Sequence, residues 1–411
     1  MIHSADTAAR NGALHSKRML TRFGAALIAT LAVVSLRLPA LAQAPSPSPT
    51  APTAPSPSPS PSPTPTPPLI LGGSFTIFGF HTNGVNNTGA LDTRAGADRA
   101  GRSDISDLLL NLSAGDARFR VTASAGVYNL LTVGTAINPT SQAAANTLLY
   151  SQLPVAAAQY NFNSHFSLAA GKFASLLGQE SPFTYQNINV QRGLAWAIEP
   201  TISRGVRAIY TNGPWSATVE ANDAYYSGRN RAIEWLLGYA PNANTNIQFA
   251  GIVPGVNVGS NPTVTVGNKA EYDLMLTQQV GKLQLLPYIL WVHSPASAPL
   301  GYMRDENATA AVLMGTYTWS SPFSLAFRWE SVWNNSSTGD TSGNADLVGY
   351  GPGSSARSIT LTPTYHFAGY GVLRLEYSHV WISSFTPGLG FEIGGTGGNQ
   401  DRFGFELGVV H

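Results

Sequence analysis

The chain has 411 residues, of which 43% are hydrophobic and only 11% are charged, against about 25% charged residues in an average soluble domain. Its net charge is +1, and residues 1–42 hold five basic residues and one acid, a surplus of four that leaves residues 43–411 at −3. This balance argues against a nucleic-acid-binding protein. The sequence has no cysteine, which excludes disulfides, thiol catalysis and cysteine-ligated metals.

The N-terminal segment has the parts of a secretory signal peptide. Arg22 precedes an apolar run over residues 23–36, and Ala40-Leu41-Ala42 supplies the pattern of small residues that signal peptidase accepts. We therefore predict a signal peptide over residues 1–42 that is cleaved after Ala42, with Met19 as an alternative start. An uncleaved membrane anchor is the other interpretation.

Residues 43–69 form a low-complexity segment in which twelve prolines alternate with serine, threonine and alanine. Such a composition cannot bury a core and favours an extended, solvated polyproline conformation. We predict a Pro/Ser/Thr-rich periplasmic linker. A segment that grips peptidoglycan or a protein partner is the alternative.

From residue 70 onward the hydrophobic pattern has a period of two. In residues 323–330, for example, Phe, Leu, Phe and Trp share one face, and Arg328 and Glu330 lie on the other. No run of 18 apolar residues follows Ala42, which excludes a helical membrane protein, and the alternation predicts strands with one apolar face. The predicted strands are 73–81, 103–113, 116–128, 154–162, 165–173, 203–211, 215–223, 231–240, 245–252, 269–280, 282–292, 309–319, 322–333, 357–367, 371–381 and 401–411.

The connections between these segments alternate in length. Short links such as Ala114-Gly115, Gly281 and Ser320-Ser321 alternate with long polar loops. Residues 70–411 are therefore predicted to be all-β, a transmembrane antiparallel β-barrel of about 16 strands (range 12–18) with long extracellular loops and short periplasmic turns. A secreted β-sandwich or propeller is the alternative, but it does not explain short turns on one side only.

The two faces of the predicted strands differ in chemistry. Aromatic residues share the parity of their aliphatic neighbours, as expected for belts at the two membrane interfaces. Charged residues have the opposite parity. An Arg or Lys side chain that faces the middle of the lipid destabilises the barrel by about 2–4 kcal/mol, so the charged face must be the inner one. We therefore expect a wet or ion-paired lumen. Leu108 to Leu110, Ile209 and Leu236 break the pattern and are interpreted as rim residues or errors of register.

Three stretches resemble a known family. They are Gly171-Lys172-Phe173 with Gly178-Gln179-Glu180, residues 204–210, and Thr360-Leu361-Thr362 with residues 373–377. Over most of residues 70–411 the chain resembles the second family of β-barrel porins, the OmpL-like outer-membrane porins. The resemblance implies a channel in the outer membrane of a Gram-negative-type bacterium, with no cofactor and no catalytic residue.

The partners expected of such a channel are outer-membrane lipid, small hydrophilic solutes and the barrel assembly machinery, with no nucleic acid and with a homo-oligomer left open. Outer-membrane barrels usually end in an aromatic residue that the assembly machinery reads. Here Phe403, Phe405, Leu407 and Val409 keep the register, but His411 is last. We expect weaker recognition or a lineage that tolerates this histidine.

The third long loop, residues 174–202, is the candidate constriction, because in porins of this strand number that loop commonly folds into the lumen. Opposed acids and bases across a constriction create a transverse field that sets ion preference. We predict that Glu180 and Arg192 of this loop face arginines of the wall. The predicted pore-lining or constriction residues are Arg118, Arg120, Glu180, Arg192, Arg207, Glu220, Arg328, Glu330, Arg374 and Glu376.

The alternative role of these wall charges is structural. Arg328 with Glu330, and Arg374 with Glu376, are two residues apart and therefore share a strand face. Each pair can neutralise charge that would otherwise be costly to bury, and so hold the shape of the barrel.

Catalytic and metal-binding motifs are missing from the sequence. It has no H-E-x-x-H or G-x-S-x-G pattern, and Asp92, Asp98 and Asp104 lack the spacing of a calcium loop. His165 and Ser167 superficially resemble the pair of outer-membrane phospholipases, but that spacing does not itself create a nucleophile and base. We predict a porin that is not an enzyme and that passes small hydrophilic solutes or ions passively. A closed or plugged barrel with a structural or adhesive role is the alternative.

Overall fold

The computed structural model describes residues 69–85, 100–135, 150–228, 230–255, 269–392 and 394–411. The predicted signal peptide, and the predicted linker except for its last residue, lie outside the described residues. Among the residues that are described, no helix is long and apolar enough to cross a membrane.

The described residues form one antiparallel sheet that closes on itself, because β1 pairs with both β2 and β17. The strands are β1 (Ile70–Asn83), β2 (Gly101–Gly115), β3 (Phe119–Tyr128), β4 (Val155–Asn161), β5 (Phe166–Ala174), β6 (Ile202–Asn212), β7 (Trp215–Asn222), β8 (Ala232–Asn242), β9 (Thr245–Pro254), β10 (Ala270–Val280), β11 (Leu283–Leu285), β12 (Tyr288–Ser294), β13 (Glu306–Ser320), β14 (Phe323–Asn334), β15 (Ser355–Phe367), β16 (Gly371–Ser383) and β17 (Asn399–Val410).

β11 and β12 occupy a single position in the wall, because both lie between β10 and β13. Pro287 separates them, and proline has no N–H to donate to a ladder. The wall therefore has sixteen strand positions, which confirms the predicted barrel of about 16 strands. Each predicted strand overlaps an observed one, and only the ends differ.

Connections of two to four residues join the strands at one end of the barrel, and longer connections join them at the other. In outer-membrane barrels the short turns lie on the periplasmic side. By this rule the turn at residues 116–118 is periplasmic, and the connections at 335–354 and 384–398 are extracellular.

Outward-facing aromatic side chains form a belt near each end of the wall. Trp215 and Tyr239, with ring centroids 4.3 Å apart, lie beside the short turns. Tyr272 and Trp291 stack with centroids 5.4 Å apart on β10 and β12, toward the opposite end. Rings at these two levels match the two interfaces of a membrane.

The triple leucine of β2 fits the alternation of a strand. Leu108 and Leu110 are 46% and 57% exposed on the outer surface, whereas Leu109 between them is 4% exposed. Ile209 lies on the same side of β6 as Arg207, and Leu236 packs against a buried apolar cluster of the lumen. The interpretation as rim or register errors is therefore wrong for Leu236, because part of this lumen is apolar, and for Leu108 to Leu110, which alternate normally, whereas Ile209 does lie close to the short turn after β6.

That apolar cluster lies in the lumen toward its extracellular end. The inner faces of β9, β10, β12 and β13 contribute aliphatic residues, and Leu194, Leu347 and Phe391 from three different connections pack against them. The wall residues of the cluster include Ala250, Ile252, Met275, Leu290, Val292, Ala310, Val312 and Met314.

Candidate functional site

The connection between β5 and β6, residues 175–201, folds into the lumen, and we call it the inward loop. The Tyr185 N–H donates to Asp107 on β2 at 2.9 Å, and the Gly178 N–H donates to Asp273 on β10 at 2.7 Å. β2 and β10 are eight positions apart in a wall of sixteen, so they lie opposite each other. The inward loop therefore crosses the full diameter of the barrel.

Carboxylates of the wall accept hydrogen bonds from the backbone of the inward loop. Glu376 on β16 accepts from the N–H groups of Val190 and Gln191 at 2.6 and 3.0 Å. Glu330 on β14 accepts from those of Leu194 and Ala195 at 3.0 and 3.1 Å. Loop N–H groups have no ladder partner, and burial without one would be costly. The charged acceptors therefore fix the loop in place.

Glu234 on β8 anchors the start of the loop in the same way. Its carboxylate accepts from the Leu176 N–H at 2.5 Å and from the Ser175 hydroxyl at 2.8 Å. The wall thus binds the loop on both sides of the lumen.

Arginines of the wall complete this arrangement by donating to loop carbonyls. Arg374 donates to the carbonyl oxygens of Asn187 and Thr184 at 2.8 and 3.1 Å. Arg328 donates to the carbonyl of Gln191 at 2.7 Å. The backbone of the loop is therefore bonded through both its donors and its acceptors.

A group of three ion-paired side chains lies where the inward loop meets β14. Arg328 pairs with Glu180 of the loop at 2.8 Å and with Glu330 of its own strand at 3.1 Å, and all three side chains are buried. Burial raises the pKa of the Glu180 carboxyl, and the adjacent Arg328 guanidinium partly opposes that rise. Arg374 pairs with Glu406 of the wall.

Arg192 has a different position from the one predicted. Its side chain is 0% exposed and donates to the carbonyl oxygens of Ser181 at 2.8 Å, Leu131 at 3.3 Å and Pro182. Burial lowers the pKa of Arg192 to about 10, so the guanidinium remains charged at neutral pH. Arg192 therefore ties the inward loop to itself and to the connection that follows β3, instead of facing wall arginines across an open gap.

Two predicted partners of the loop lie elsewhere. Arg118 is in the turn before β3 and Arg120 is near its periplasmic end, and both are exposed. Within the part of the chain that the structure describes, neither side chain forms an ion pair, so Glu180 and Arg192, which were predicted to face the wall arginines, do not meet these two, and Glu180 meets Arg328 instead. The physical reason is the level at which the loop crosses the lumen. Its contacts with the wall lie nearer the middle of the strands than Arg118 and Arg120 do. The pore-lining role of Arg118 and Arg120 stays a prediction.

Arg207 and Glu220 face the lumen on adjacent strands, as predicted. Arg207 Nε donates to Glu220 at 2.6 Å, and an Nη of Arg207 donates to the Ala174 carbonyl at 3.0 Å. This pair supports the point where the chain leaves β5 for the inward loop.

The inward loop has two parts with different surroundings. Residues 189–196 are all buried, and we call them the buried arm. Residues 185–188 are half-buried except for Gln186, which is exposed, and we call them the water-facing arm. Beside this arm the Asn111 amide donates to the Tyr185 hydroxyl at 2.8 Å, and the Ser124 hydroxyl donates to Asn111 at 2.7 Å.

A family model described as "Putative beta-barrel porin-2, OmpL-like" matches residues 69–410. The chain belongs to this family. It is a porin of the bacterial outer membrane, as its fold and the resemblance of the sequence both predicted. A comparison with curated protein sequences gives no match.

Solved structures of outer-membrane proteins share this porin's fold. The outer membrane channel DcaP of Acinetobacter baumannii has a TM-score of 0.55 at 13% identity, covering 84% of this chain and 98% of that one. OmpT of Vibrio cholerae has a TM-score of 0.53 at 10% identity, covering 84% and 98%. The anion-selective porin from Comamonas acidovorans has a TM-score of 0.52 at 11% identity, covering 84% and 99%.

The parity of the charged residues puts Glu234, Asp273 and Arg402 of the porin on the lumen side, but it does not identify them as loop anchors. Arg402 donates to the side chain of Gln191 and to the Thr132 carbonyl at 3.2 Å. Parity along a strand shows which way a side chain points, but not which backbone group of a distant loop it will meet. Asp107 could also have been identified as a lumen residue, because it lies two residues before the inward-facing Leu109 and therefore on the same face of β2.

Proposed function

We propose that this porin is a passive, non-enzymatic channel for small hydrophilic solutes or ions, narrowed by the inward loop. The observation that carries the proposal is that residues 175–201 cross the whole lumen and are bonded to opposite walls. A segment fixed in this way reduces the free cross-section of the barrel at one level and sets the size limit for solutes.

The water-facing arm supports a route along the β2–β3 side of the lumen. Gln186 is exposed there, and Tyr185, Asn111 and Ser124 are half-buried. Neutral hydroxyl and amide groups can exchange hydrogen bonds with a hydrated solute without binding it tightly. Such a lining favours permeation over capture.

The accessible charge of the lumen supports a modest preference for anions. The wall arginines Arg328 and Arg374 and the loop carboxylate Glu180 are buried and paired. Arg120, on the lumen side of β3, is exposed and has no ion pair among the described residues. An unpaired cation at a vestibule raises the local concentration of anions.

The geometry around His165 supports the non-enzymatic part of the proposal. The His165 ring bonds to the Thr211 carbonyl at 2.8 Å, and the Ser167 hydroxyl accepts from Gln159 at 3.3 Å. A serine nucleophile needs a hydrogen-bonded base. The partners of these two side chains are different, so they do not form such a pair. Recognition by the assembly machinery and assembly into a homo-oligomer stay predictions.

A closed barrel with a structural or adhesive role is the second candidate. The observation that favours it is the complete burial of residues 189–196 together with the apolar cluster at the extracellular end. A barrel filled in this way would exclude water on that side of the loop.

Swelling of proteoliposomes distinguishes the two candidates. Purified porin is reconstituted with a series of neutral sugars of increasing size outside the vesicles. We expect swelling whose rate falls steeply as the sugars become larger, because the loop limits the cross-section. Vesicles that contain folded barrel and do not swell in any sugar would support the closed barrel.

A further inference from the structure

Three carboxylates meet where the inward loop returns to the wall. Glu199 belongs to the loop, and Glu271 and Asp273 belong to β10. One oxygen of each lies within 4.8 Å of one oxygen of each of the others. Glu199 is 6% exposed, and Glu271 and Asp273 are fully buried.

Each of these carboxylates has a buried oxygen without a hydrogen-bond partner, namely Glu199 Oε1, Glu271 Oε1 and Asp273 Oδ1. The other oxygen of Asp273 accepts from the Gly178 N–H at 2.7 Å, and that of Glu271 accepts weakly from Tyr225 at 3.4 Å. A buried carboxylate oxygen without a donor or cation is strongly disfavoured. Three of them side by side favour a further positive partner between them, either a shared proton or a metal cation.

A fourth group, outside the carboxylates, points to the same place. The Tyr288 hydroxyl on β12 lies beside Glu199 but lacks hydrogen-bonding geometry to any group, although the side chain is only 2% exposed. Buried hydroxyls normally have a partner. An oxygen-binding ligand between Glu199 and β10 would satisfy this hydroxyl or a water that bridges to it.

The local charge fits a divalent cation. The three ionised carboxylates carry −3, and the nearest cation is Lys269, which donates to the carbonyl of Ile198. Lys269 offsets one of these charges, and Glu234 of β8 adds a further negative charge close to Glu271 and Asp273. A divalent cation would offset most of the negative charge that remains, and an all-oxygen donor set selects a hard cation such as Ca²⁺ or Mg²⁺ over softer metals.

We propose that Glu199, Glu271 and Asp273 bind a hard divalent cation that ties the inward loop to β10. This site goes beyond the proposed channel function, because a cation could bind there whether or not the barrel conducts. Both ends of the loop meet at it. A Cβ at Gly178 would lie 2.0 Å from Glu199 Oε2, so Glu199 packs directly against the first residues of the loop.

Among the three carboxylates, the side nearest to solvent is the loop side. Ala197, two residues before Glu199, is exposed, and Glu199 is the one carboxylate of the three with accessible surface. The cation would therefore enter past Glu199 and reach the β10 carboxylates last.

The test uses Tb³⁺, a luminescent substitute for Ca²⁺, on the purified full-length porin freed of metals by chelation. Tyr288 and Tyr225 are close enough to sensitise Tb³⁺ in the site. We expect saturable luminescence that Ca²⁺ displaces, with Mg²⁺ tested in parallel. In Glu271→Gln the affinity for Tb³⁺ should fall at least about tenfold, because the site loses a ligand. Even the loss of a group that only supports a ligand typically lowers metal affinity by about 10–100-fold.

Glu306→Gln is the matched control, because it removes another buried wall carboxylate, on β13 beside Asp340, that lies away from both the inward loop and the site. It should bind Tb³⁺ like the wild type. Asp273→Asn is the second variant, for the case in which Glu271→Gln does not fold. No saturable binding by the wild type, or equal binding by wild type, Glu271→Gln and Asp273→Asn, would overturn the proposal.

Thermal unfolding provides a second readout that does not depend on luminescence. Ca²⁺ should raise the unfolding temperature of the wild type and, at the same concentration, should raise that of Glu271→Gln clearly less. Without cations, Glu271→Gln should unfold at the same temperature as the wild type or higher, since one repelling charge is gone. A lower temperature without cations, and an equal response to Ca²⁺, would contradict the site.

Discussion

The buried arm and the water-facing arm of the inward loop are adjacent in sequence but have opposite surroundings. The buried arm is bonded to Glu330 and Glu376 through its backbone, and no residue of it is exposed. The water-facing arm is fixed at Tyr185 and presents Gln186 to the lumen. The difference shows a division of roles: charges of the wall hold the loop, and neutral polar groups face the solute.

This division changes the meaning of the charged lumen. A buried salt bridge alone is weak evidence for stability, because desolvation can exceed the Coulombic gain. Here the carboxylates also satisfy loop N–H groups that have no ladder partner, so their removal would leave several groups unsatisfied. The mixed charges therefore specify one position of the loop.

The largest expected effect comes from Arg328→Ala in the buried contact. The substitution leaves Glu180 and Glu330 buried without their cation, a change that typically costs about 3–5 kcal/mol. We expect a matching loss in the free energy of unfolding in lipid vesicles, or release of the loop, seen as cleavage by protease within residues 175–201.

Arg304→Ala is the control for that experiment. Like Arg328, Arg304 pairs with an acidic residue, here Asp340 at 3.2 Å, but the Arg304 side chain is 61% exposed. Such pairs are worth about 0–1 kcal/mol. Equal effects of the two substitutions would show that the buried contact does not anchor the loop.

Gly193→Ala tests the buried arm by adding a methyl group instead of removing a charge. A Cβ at Gly193 would lie 2.0 Å from Glu330 Oε1 and would displace the carboxylate from the loop N–H groups. We expect a loss of about 1–3 kcal/mol in unfolding free energy, the range for overpacking. Gly101→Ala, where a Cβ meets nothing within 4 Å, should have little effect. Similar values for both would contradict the close packing at Gly193.

Gln186→Trp tests the water-facing arm. The larger side chain should occupy part of the solute route and reduce single-channel conductance, whereas stability should change by no more than about 0.5 kcal/mol. Ala170→Trp places the same side chain on the exposed outer surface of β5 and should leave conductance unchanged. Unaltered conductance in Gln186→Trp would move the route away from this arm.

Arg120→Ala removes an accessible charge on the periplasmic side of the inward loop, and Arg120 contacts neither arm. The reversal potential in a salt gradient should shift so that the anion-to-cation permeability ratio falls toward one. Arg357→Ala, on the exposed outer face of β15, should not shift it. A ratio that Arg120→Ala leaves unchanged would show that charge elsewhere sets selectivity.

The smallest effect is expected at Asp116, in an exposed turn far from both arms. The N–H groups of Phe119 and Arg118 hold the pKa of Asp116 below its ordinary value of 3.8. Its contribution to stability is therefore fully present above pH 3.8 and is lost as the pH falls through the lowered pKa. Asp116→Asn should remove this acid-dependent loss. Identical pH profiles for both proteins would contradict the role of these bonds.

The barrel itself was predictable because parity is a local property. Segments such as residues 323–330 show their outer and inner faces directly, and the short links show which ends are joined. The sixteen strands and the lumen side of Arg328, Glu330, Arg374 and Glu376 followed from this pattern.

The contacts of the inward loop were not predictable because they depend on distances across the lumen. Glu180 was expected to meet wall arginines and does meet Arg328, but the sequence does not show at which level the loop crosses the lumen, and hence that Arg120, beside a short turn, lies below it. The apolar side of the lumen was missed for a related reason. Leu236 looked like an error of register because a porin lumen was expected to be polar throughout.

Single-channel conductance in a planar bilayer tests most directly whether the inward loop narrows the channel. The wild type is compared with a variant in which residues 180–196 are replaced by a short glycine-serine linker. Small, steady steps in the wild type and clearly larger steps in the variant are expected. Equal steps in both proteins would show that the loop does not limit the pore, and silence of the folded wild type would show that the barrel is closed.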